Sequence, residues 1–332
     1  MKSTSRLPVA TFKVDNRLIQ HAPNLFASKF RPGQGVQMHL PGMEPFAPFD
    51  YWATVALYSL LDPADPTAPV ITTPTELAGV LAFAKQAAVI DGYATQTYPS
   101  DVFETIHSAL HRLYSVEVDL TGYWFIRTGG RGRPRKKPVM YKGRILSSYM
   151  YVLPEGTDLP PREFAPDRWE NVNRIKVLPD GQPAPPIWRP KDGPRPEGIR
   201  YTLAPDLVRG LTGKGENIGA TILPTEVFAL RTTAIGRSPN VTRLLFWVCR
   251  QVDRDMKRDL DGLIDQLRVQ SKSRKQNRES LLRGFKLLKE YGVIEDYSVT
   301  DPDADRVFVT FTKADGWYFG RDRTEETLPP GA

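Results

Sequence analysis

The side chains of this 332-residue sequence whose types and spacing suggest chemistry are cations rather than nucleophiles or acids. Arg274, Lys275, Gln276, Asn277 and Arg278 form an unbroken run, and Arg283, Lys286 and Lys289 follow along one side of the same stretch. Arg and Lys neutralise phosphates. Arg, Gln and Asn also make two-point contacts to guanine and adenine edges in the major groove. An ordinary solvated helix face is the competing reading; composition, position on the helix and chain context together favour DNA contact. A second run, "GGRGRPRKKPVMYKGR" from Gly129 to Arg144, holds seven Lys/Arg and no acid. Its candidate DNA-binding residues are Arg131, Arg133, Arg135, Lys136, Lys137 and Lys142. Within it "RGRPRK" resembles the AT-hook, in which an extended Arg-Gly-Arg-Pro backbone lets Arg side chains enter a narrow A·T minor groove. A simple phosphate-binding loop is equally compatible.

Other chemistries lack their parts. "GLTGKGEN" is not a Walker loop, because Gly215 follows Lys214 where Ser or Thr is required, and Val208 stands where the first Gly belongs. His107 and His111 in "HSALH" have the i, i+4 spacing of a metal pair, but no Glu stands beside the first and no third ligand is evident. A nicking centre would need two His flanking one hydrophobic residue and a Tyr nucleophile, and no such triplet occurs. The acids from Asp253 to Asp261 alternate with Arg and Lys and read as ion pairs on a helix surface. No enzyme, cofactor or metal is expected.

Composition fits a soluble chain: 40% hydrophobic and 25% charged, with a formal net charge of +7. No apolar run approaches the length that spans a bilayer, and "MKSTSRLPVATFKVDN" lacks the apolar stretch of a signal peptide. A cytoplasmic, nucleoid- or plasmid-associated protein without membrane contact is expected. The single cysteine, Cys249, lies inside "LLFWVC" and reads as a buried thiol. The charge excess is concentrated: eight Lys/Arg and no acid from Thr121 to Val152, and seven Lys/Arg with only Glu279 against them from Lys272 to Lys289. Two separate basic clusters point to nucleic acid more strongly than a diffuse excess does.

The elements that must position these clusters repeat one order. Residues 1–48 read as an extended arm. Residues 49–152 read as a first unit of three helices and a hairpin. Its first helix spans Phe49–Leu61, with Tyr51, Val55, Tyr58 and Leu61 at helical spacing and Trp52 and Leu57 beside them. The second starts at a capping box, with Thr73 as cap, Pro74 at the first helical position and Glu76 reaching back. The third starts at a Ser100 cap, with Val102, Phe103, Ile106, Leu110 and Leu113 inward and His107, His111 and Arg112 toward the other side. "SVEVDLTGYWFIRT" and "GRILSSYMYV" alternate as strands, with the basic run as the tip between them. That is the order of a winged helix. Residues 153–198 are Pro-rich and read as a spacer. Residues 199–320 read as a strand, "IRYTLAPDL", followed by a second winged helix: "SPNVTRLLFWVCRQVDRDM", "DLDGLIDQLRV" and "SRKQNRESLLRGFKLLKEYGVI" as helices, then a hairpin around Asp301, Asp303 and Asp305. In the first of these Val241, Leu244, Leu245, Val248 and Val252 are inward; in the third, Leu281, Leu282, Phe285 and Leu288. The acids at this hairpin tip keep it from gripping DNA closely, Arg306 excepted. Residues 321–332 form a tail. The fold class expected is α+β, two tandem winged helices joined by a Pro-rich spacer.

The order, with "YSVEVDLTGYWFIR", "IRYTLAPDLVRGL", "SPNVTRLLFWVCRQV" and "SLLRGFKLLKEYGVI", resembles the plasmid replication initiators of the Rep type over about residues 49–320. The resemblance implies a non-catalytic protein that initiates replication of a plasmid or secondary replicon. Its second unit would read repeated origin sites and help to open an adjacent A·T-rich region. Its first unit would add backbone contacts and a dimer interface. It also implies a monomer–dimer balance, with the host initiator and replicative helicase as further partners. A winged-helix transcriptional regulator or a partition-type DNA-binding protein is the alternative. The spacer and the basic insert are longer than the resemblance leads one to expect.

Overall fold

Two stretches of the chain fold in one shared order: helix, strand, helix, helix and a closing antiparallel strand pair. The computed structural model describes residues 11–25, 37–38, 46–90, 93–126, 135–153, 155, 196–212, 217–218, 220–269, 273–300 and 304–319. The chain begins with β1 (Thr11–Asp15), α1 (Asn16–Leu25) and β2 (Gln37–Met38). The first unit is α2 (Pro48–Ser59), β3 (Val70–Thr72), α3 (Pro74–Val80), a hairpin of β4 (Gln86–Ile90) and β5 (Tyr93–Thr97), α4 (Ser100–Ser115), a long hairpin of β6 (Glu117–Ile126) and β7 (Arg135–Arg144), and then β8 (Leu146–Val152) and β9 (Gly198–Leu203). A connection of α5 (Pro205–Val208), β10 (Asn217–Ile218), β11 (Ala220–Pro224), α6 (Val227–Leu230) and α7 (Ala234–Arg237) follows. The second unit is α8 (Pro239–Arg250), β12 (Asp255–Asp259), α9 (Leu260–Gln266), α10 (Arg274–Glu290), β13 (Ile294–Val299) and β14 (Phe308–Lys313).

Each unit has a three-stranded antiparallel sheet, in the order β3-β9-β8 in the first and β12-β14-β13 in the second. This corrects two expectations. "GRILSSYMYV" does not pair with β6; β8 pairs with β9, Tyr149 opposite Tyr201. The strand expected to head the second unit therefore completes the sheet of the first, and the Pro-rich stretch joins two strands of one sheet. Most of that stretch lies outside the described residues.

Helix α2 is buried on every side from Asp50 to Tyr58, not along one stripe. Its ends are tied by polar groups. Asp50, fully buried, accepts from the Ala47 amide at 2.7 Å and from Arg112 of α4, Nε to Oδ2 at 2.7 Å and Nη2 to Oδ1 at 2.8 Å. Arg112 thus turns inward rather than to solvent, because it is the counter-charge Asp50 needs. At the other end Tyr201 donates to the Leu57 carbonyl at 2.8 Å, and Tyr58 donates to the Leu207 carbonyl at 3.1 Å.

The units meet through aromatic rings. Phe246 of α8 sits edge-on to Tyr51 and Trp52, with centroids 4.5 and 5.1 Å apart. Arg231 lies over the Phe83 ring at 4.0 Å and donates from Nε to the Leu81 carbonyl. The expected arm is partly built into this junction. β1 pairs antiparallel with β11, Val14 and Leu18 are fully buried, and the buried Asp15–Arg17 ion pair closes at 2.7 Å. Arg17 also donates to the Asp206 carbonyl at 2.6 Å.

The helix expected to run to Met256 ends at Arg250. Residues 255–259 form edge strand β12, with Met256 inward, and Val252, expected inward, is exposed. Charges on an edge strand discourage pairing with other chains, and they hid this strand behind a helical reading. Cys249 is buried, and burial pushes its thiol up to about 12. Among the described residues no helix is long and apolar enough to cross a membrane.

Replacing Arg112 with Met strands the Asp50 carboxylate. We expect a loss of about 3–5 kcal/mol in urea unfolding, and a smaller loss when Asp50→Asn is added. A loss under about 1 kcal/mol would show the pair to be dispensable.

Candidate nucleic-acid interface

The basic run at 274–289 is carried by a helix whose setting is built from both neighbours. Asp259 caps α9 by accepting from the Asp261 amide at 3.3 Å. α9 ends in a left-handed residue, Arg268 at φ 53°, which lets the Val269 amide reach back to the Ile264 carbonyl at 3.0 Å. Arg243 of α8 holds the carbonyls of Leu267 and Arg268 at 3.3 and 3.2 Å. After this turn Ser273 caps α10, its hydroxyl accepting from the Gln276 amide at 3.3 Å. Leu281, Gly284, Phe285 and Leu288 face inward. Gly284 lets α8 approach closely, since a Cβ there would lie 2.9 Å from Leu244 Cδ2. α10 closes at Gly292, φ 70°, with the Val293 amide on the Leu288 carbonyl at 2.8 Å.

At 100° per residue, Lys275, Gln276, Glu279, Arg283, Lys286 and Glu290 share one face of α10, and all six are exposed. Lys286 approaches Glu290 at 3.9 Å, an i, i+4 pair of small energetic weight. The other expected contacts lie elsewhere. Asn277 is half-buried on the inward flank. Lys289 pairs with Asp296 at 2.6 Å.

Arg274 and Arg278 both turn onto Asp261. Arg278 forks it, Nε to Oδ1 at 3.0 Å and Nη2 to Oδ2 at 2.7 Å, and also donates to the carbonyls of Ala304 and Asp305 at 3.1 and 3.2 Å. Arg274 joins the same carboxylate and reaches the Asp305 carbonyl at 2.9 Å. Side-chain exposure separates the two: 62% for Arg274 and 11% for Arg278. Hydrogen bonds from Arg278 first and Arg274 second hold the Asp261 carboxyl well below the usual carboxylate range.

In the first unit the basic run is mostly strand rather than tip. Arg135, Lys136 and Lys137 of β7 stand opposite Ile126, Phe125 and Trp124 in an antiparallel ladder, and Lys142 stands opposite Asp119. Arg131 and Arg133 lie outside the described residues. Strand alternation puts positions 138, 140 and 142 on one side, and Pro138, Met140 and Lys142 are exposed. β6 is braced on its other edge by β2 and β10.

Helix α4 offers no matching basic face. Pro99, not Ser100, is its cap residue, and its first two turns carry Asp101 and Glu104. The β4–β5 hairpin stands directly before it, an element whose signal was Asp91-Gly92 between Val89-Ile90 and Tyr93-Ala94. His107 lies with Nδ1 2.5 Å from the Tyr151 hydroxyl, which gives it a side-chain partner on β8. Among the described residues no group of three or more His, Cys, Asp or Glu is placed to hold a metal ion.

The geometry is that of a chain with two similarly ordered helix-and-hairpin units, one exposing a basic helix face and the other a long β-ribbon on which Lys142 is exposed. No protein-family model matches the sequence, and no curated protein matches it. Solved structures similar to it include RctB domains 2-3, at 11% identity and TM-score 0.46, covering 90% of this chain and 98% of that one. A selenomethionine derivative of domains 2 and 3 of RctB gives 10% identity and TM-score 0.46, covering 89% and 96%. The Pi initiator protein in complex with iteron DNA gives 9% identity and TM-score 0.45, covering 93% and 100%.

Replacing Asp261 with Asn removes a group whose folded-state pKa is depressed. Its contribution is complete above the unfolded carboxyl pKa of about 3.9 and is lost as pH falls through the lower folded value. We expect the variant to be about 1–3 kcal/mol less stable at pH 7, with the gap closing below about pH 4. A gap that is absent at pH 7, or unchanged at pH 2.5, would contradict this.

Proposed function

We propose that this chain is a sequence-specific double-stranded DNA-binding protein of tandem winged-helix architecture. In the second unit α9, its turn and α10 form the helix-turn-helix, and β13–β14 the wing. The observation that carries the reading is the outward face of α10. Lys275, Gln276, Arg283 and Lys286 are exposed there, on a helix capped by Ser273. A recognition helix presents its N-terminal residues to base edges. Lys275 and Gln276 occupy that end, and Arg283 and Lys286 suit the flanking phosphates.

The first unit contributes differently. Its third helix begins with acids, so its DNA contact falls to the β6–β7 ribbon, through Arg131, Arg133, Arg135, Lys136, Lys137 and Lys142. Two-stranded ribbons and extended Arg-rich tips both fit DNA grooves. The resemblance to Rep-type plasmid initiators extends the proposal to its biological setting: binding repeated origin sites, aiding opening of an A·T-rich neighbour, a monomer–dimer balance, and contact with host initiator and helicase. No catalytic step belongs to this reading.

Two measurements test it. The triple variant Lys275→Ala, Arg283→Ala, Lys286→Ala changes only exposed positions, so circular dichroism should be unaltered. If all three touch phosphates, the slope of log K against log salt on a duplex carrying the repeats beside the gene falls by about 2–3 units, roughly 0.9 per contact. An unchanged slope would remove α10 from the interface. Deleting 131–137 takes away five cations and should lower the slope by about 2–4 units. If the tip is a minor-groove hook, affinity falls more on A·T flanks than on G·C flanks. Tight binding to a single unrepeated site, with none to direct repeats, would favour the regulator.

A further inference from the structure

We infer that Arg278 is a positioning residue of the DNA-binding unit, locking the β13–β14 turn and α9 against the start of α10, and is not itself a DNA contact. The consequence for binding rests on the function proposed above.

Counted from its sequence neighbours, Arg278 belongs with Lys275 and Gln276. Its place on the helix says otherwise. It lies four residues beyond Arg274 on the flank that leads to the buried Phe285, about 60° from Lys275 and 160° from Gln276 at the helical 100° per residue. Its guanidinium is engaged on every side. Nε and Nη2 fork the Asp261 carboxylate, Nη1 meets the Ala304 carbonyl, and Nη2 adds the Asp305 carbonyl. A phosphate would have to displace partners already at 2.7–3.2 Å around a side chain that is 11% exposed.

Three elements meet at this one group. Asp261 opens α9, Arg278 lies in the second turn of α10, and Ala304 and Asp305 belong to the turn between β13 and β14. Among the described residues that turn is also tied at its base, where the Phe308 amide donates to the Thr300 hydroxyl at 2.9 Å. The backbone link that follows it is the Leu260 amide on the Val307 carbonyl at 2.8 Å, and the Thr300 amide bonds the Phe308 carbonyl at 3.0 Å. The next residue after the clamped carbonyl is Arg306, an exposed cation. Holding the Asp305 carbonyl therefore sets where Arg306 leaves the turn relative to α10. Planar, five-donor geometry is what lets one side chain reach a carboxylate and two carbonyls together. A lysine carries the charge but not the fork.

The experiment compares Arg278→Lys, Arg278→Gln, Asp261→Asn and the Asp261→Asn/Arg278→Gln double variant in the full-length chain. Binding is measured on a 30-bp duplex containing the repeats beside the gene, at a temperature where circular dichroism shows every variant folded. Hydrogen exchange is followed without DNA. The clamp predicts faster exchange at amides 304–306 in both Arg278 variants, with the amides of Phe285 and Leu288 unchanged. It predicts that Lys and Gln weaken binding alike, about tenfold, and that the double variant is no weaker than Arg278→Gln. Affinity kept by Lys and lost by Gln, with Asp261→Asn adding to the loss, would make Arg278 a direct phosphate contact and overturn the inference. Folded variants binding like the unaltered chain would also overturn it, leaving a role in stability alone. Failure of the unaltered chain to bind the duplex would overturn the proposed function, and with it the effect on binding, while exchange at 304–306 still decides the clamp.

Discussion

Phe246, edge-on against Tyr51 and Trp52, ties the two units of this molecule together at their first helices. It joins the first helix of one unit to the first helix of the other, so each unit's sheet and later helices are placed by what these two helices do. Edge-to-face ring pairs contribute about 0.5–1.5 kcal/mol beyond the area they bury. The surrounding ties point the same way. Arg231 caps Phe83, β1 zips onto β11, and Arg17 bonds the carbonyl of Asp206 at the start of the connection.

Formal charge overstates what such a molecule offers to an anion. Of the cations along α10, Arg274 and Arg278 share Asp261, Lys289 is matched by Asp296, and Lys286 stands beside Glu290. Lys275 and Arg283 have no ion-pair partner among the described residues. The helix therefore shows a narrower stripe of available charge than its composition suggests. Glu279 and Glu290 lie on that same outward face and reduce its net charge further.

Apolar periodicity and capping chemistry were legible in the sequence. Thr73, Pro74 and Glu76 form the capping box their spacing implied, and Leu281, Phe285 and Leu288 of α10 are inward as the period of 3.6 required. Polar elements were not legible. β12 has one apolar residue in five, and β1 and α1 lie in a stretch whose partners sit far away in sequence. Pairing was hidden for the same reason. Alternation marks β8 as a strand but cannot say that its partner lies across the Pro-rich stretch rather than across the basic run. Within α10, residue type suggested that all five of 274–278 face DNA. Only the position of Asp261, supplied by another helix, shows that Arg274 and Arg278 are ion-paired, and only the helical phase puts Asn277 on the inward flank.

The pairing of β1 with β11 also bears on how the protein is made. Thr11 lies opposite Pro224, so the first strand has no partner until more than two hundred further residues have been added. At roughly 5–20 residues per second, synthesis leaves that strand and α1 waiting for about 10–40 seconds. Val14, Leu18 and Ile19, buried in the finished molecule, spend that interval uncovered by their final neighbours. Contacts of such sequence separation form late because loop closure must precede any gain from pairing. The β1–β11 part of the junction therefore cannot close until residue 224 has been made, although β1 and α1 are synthesised early.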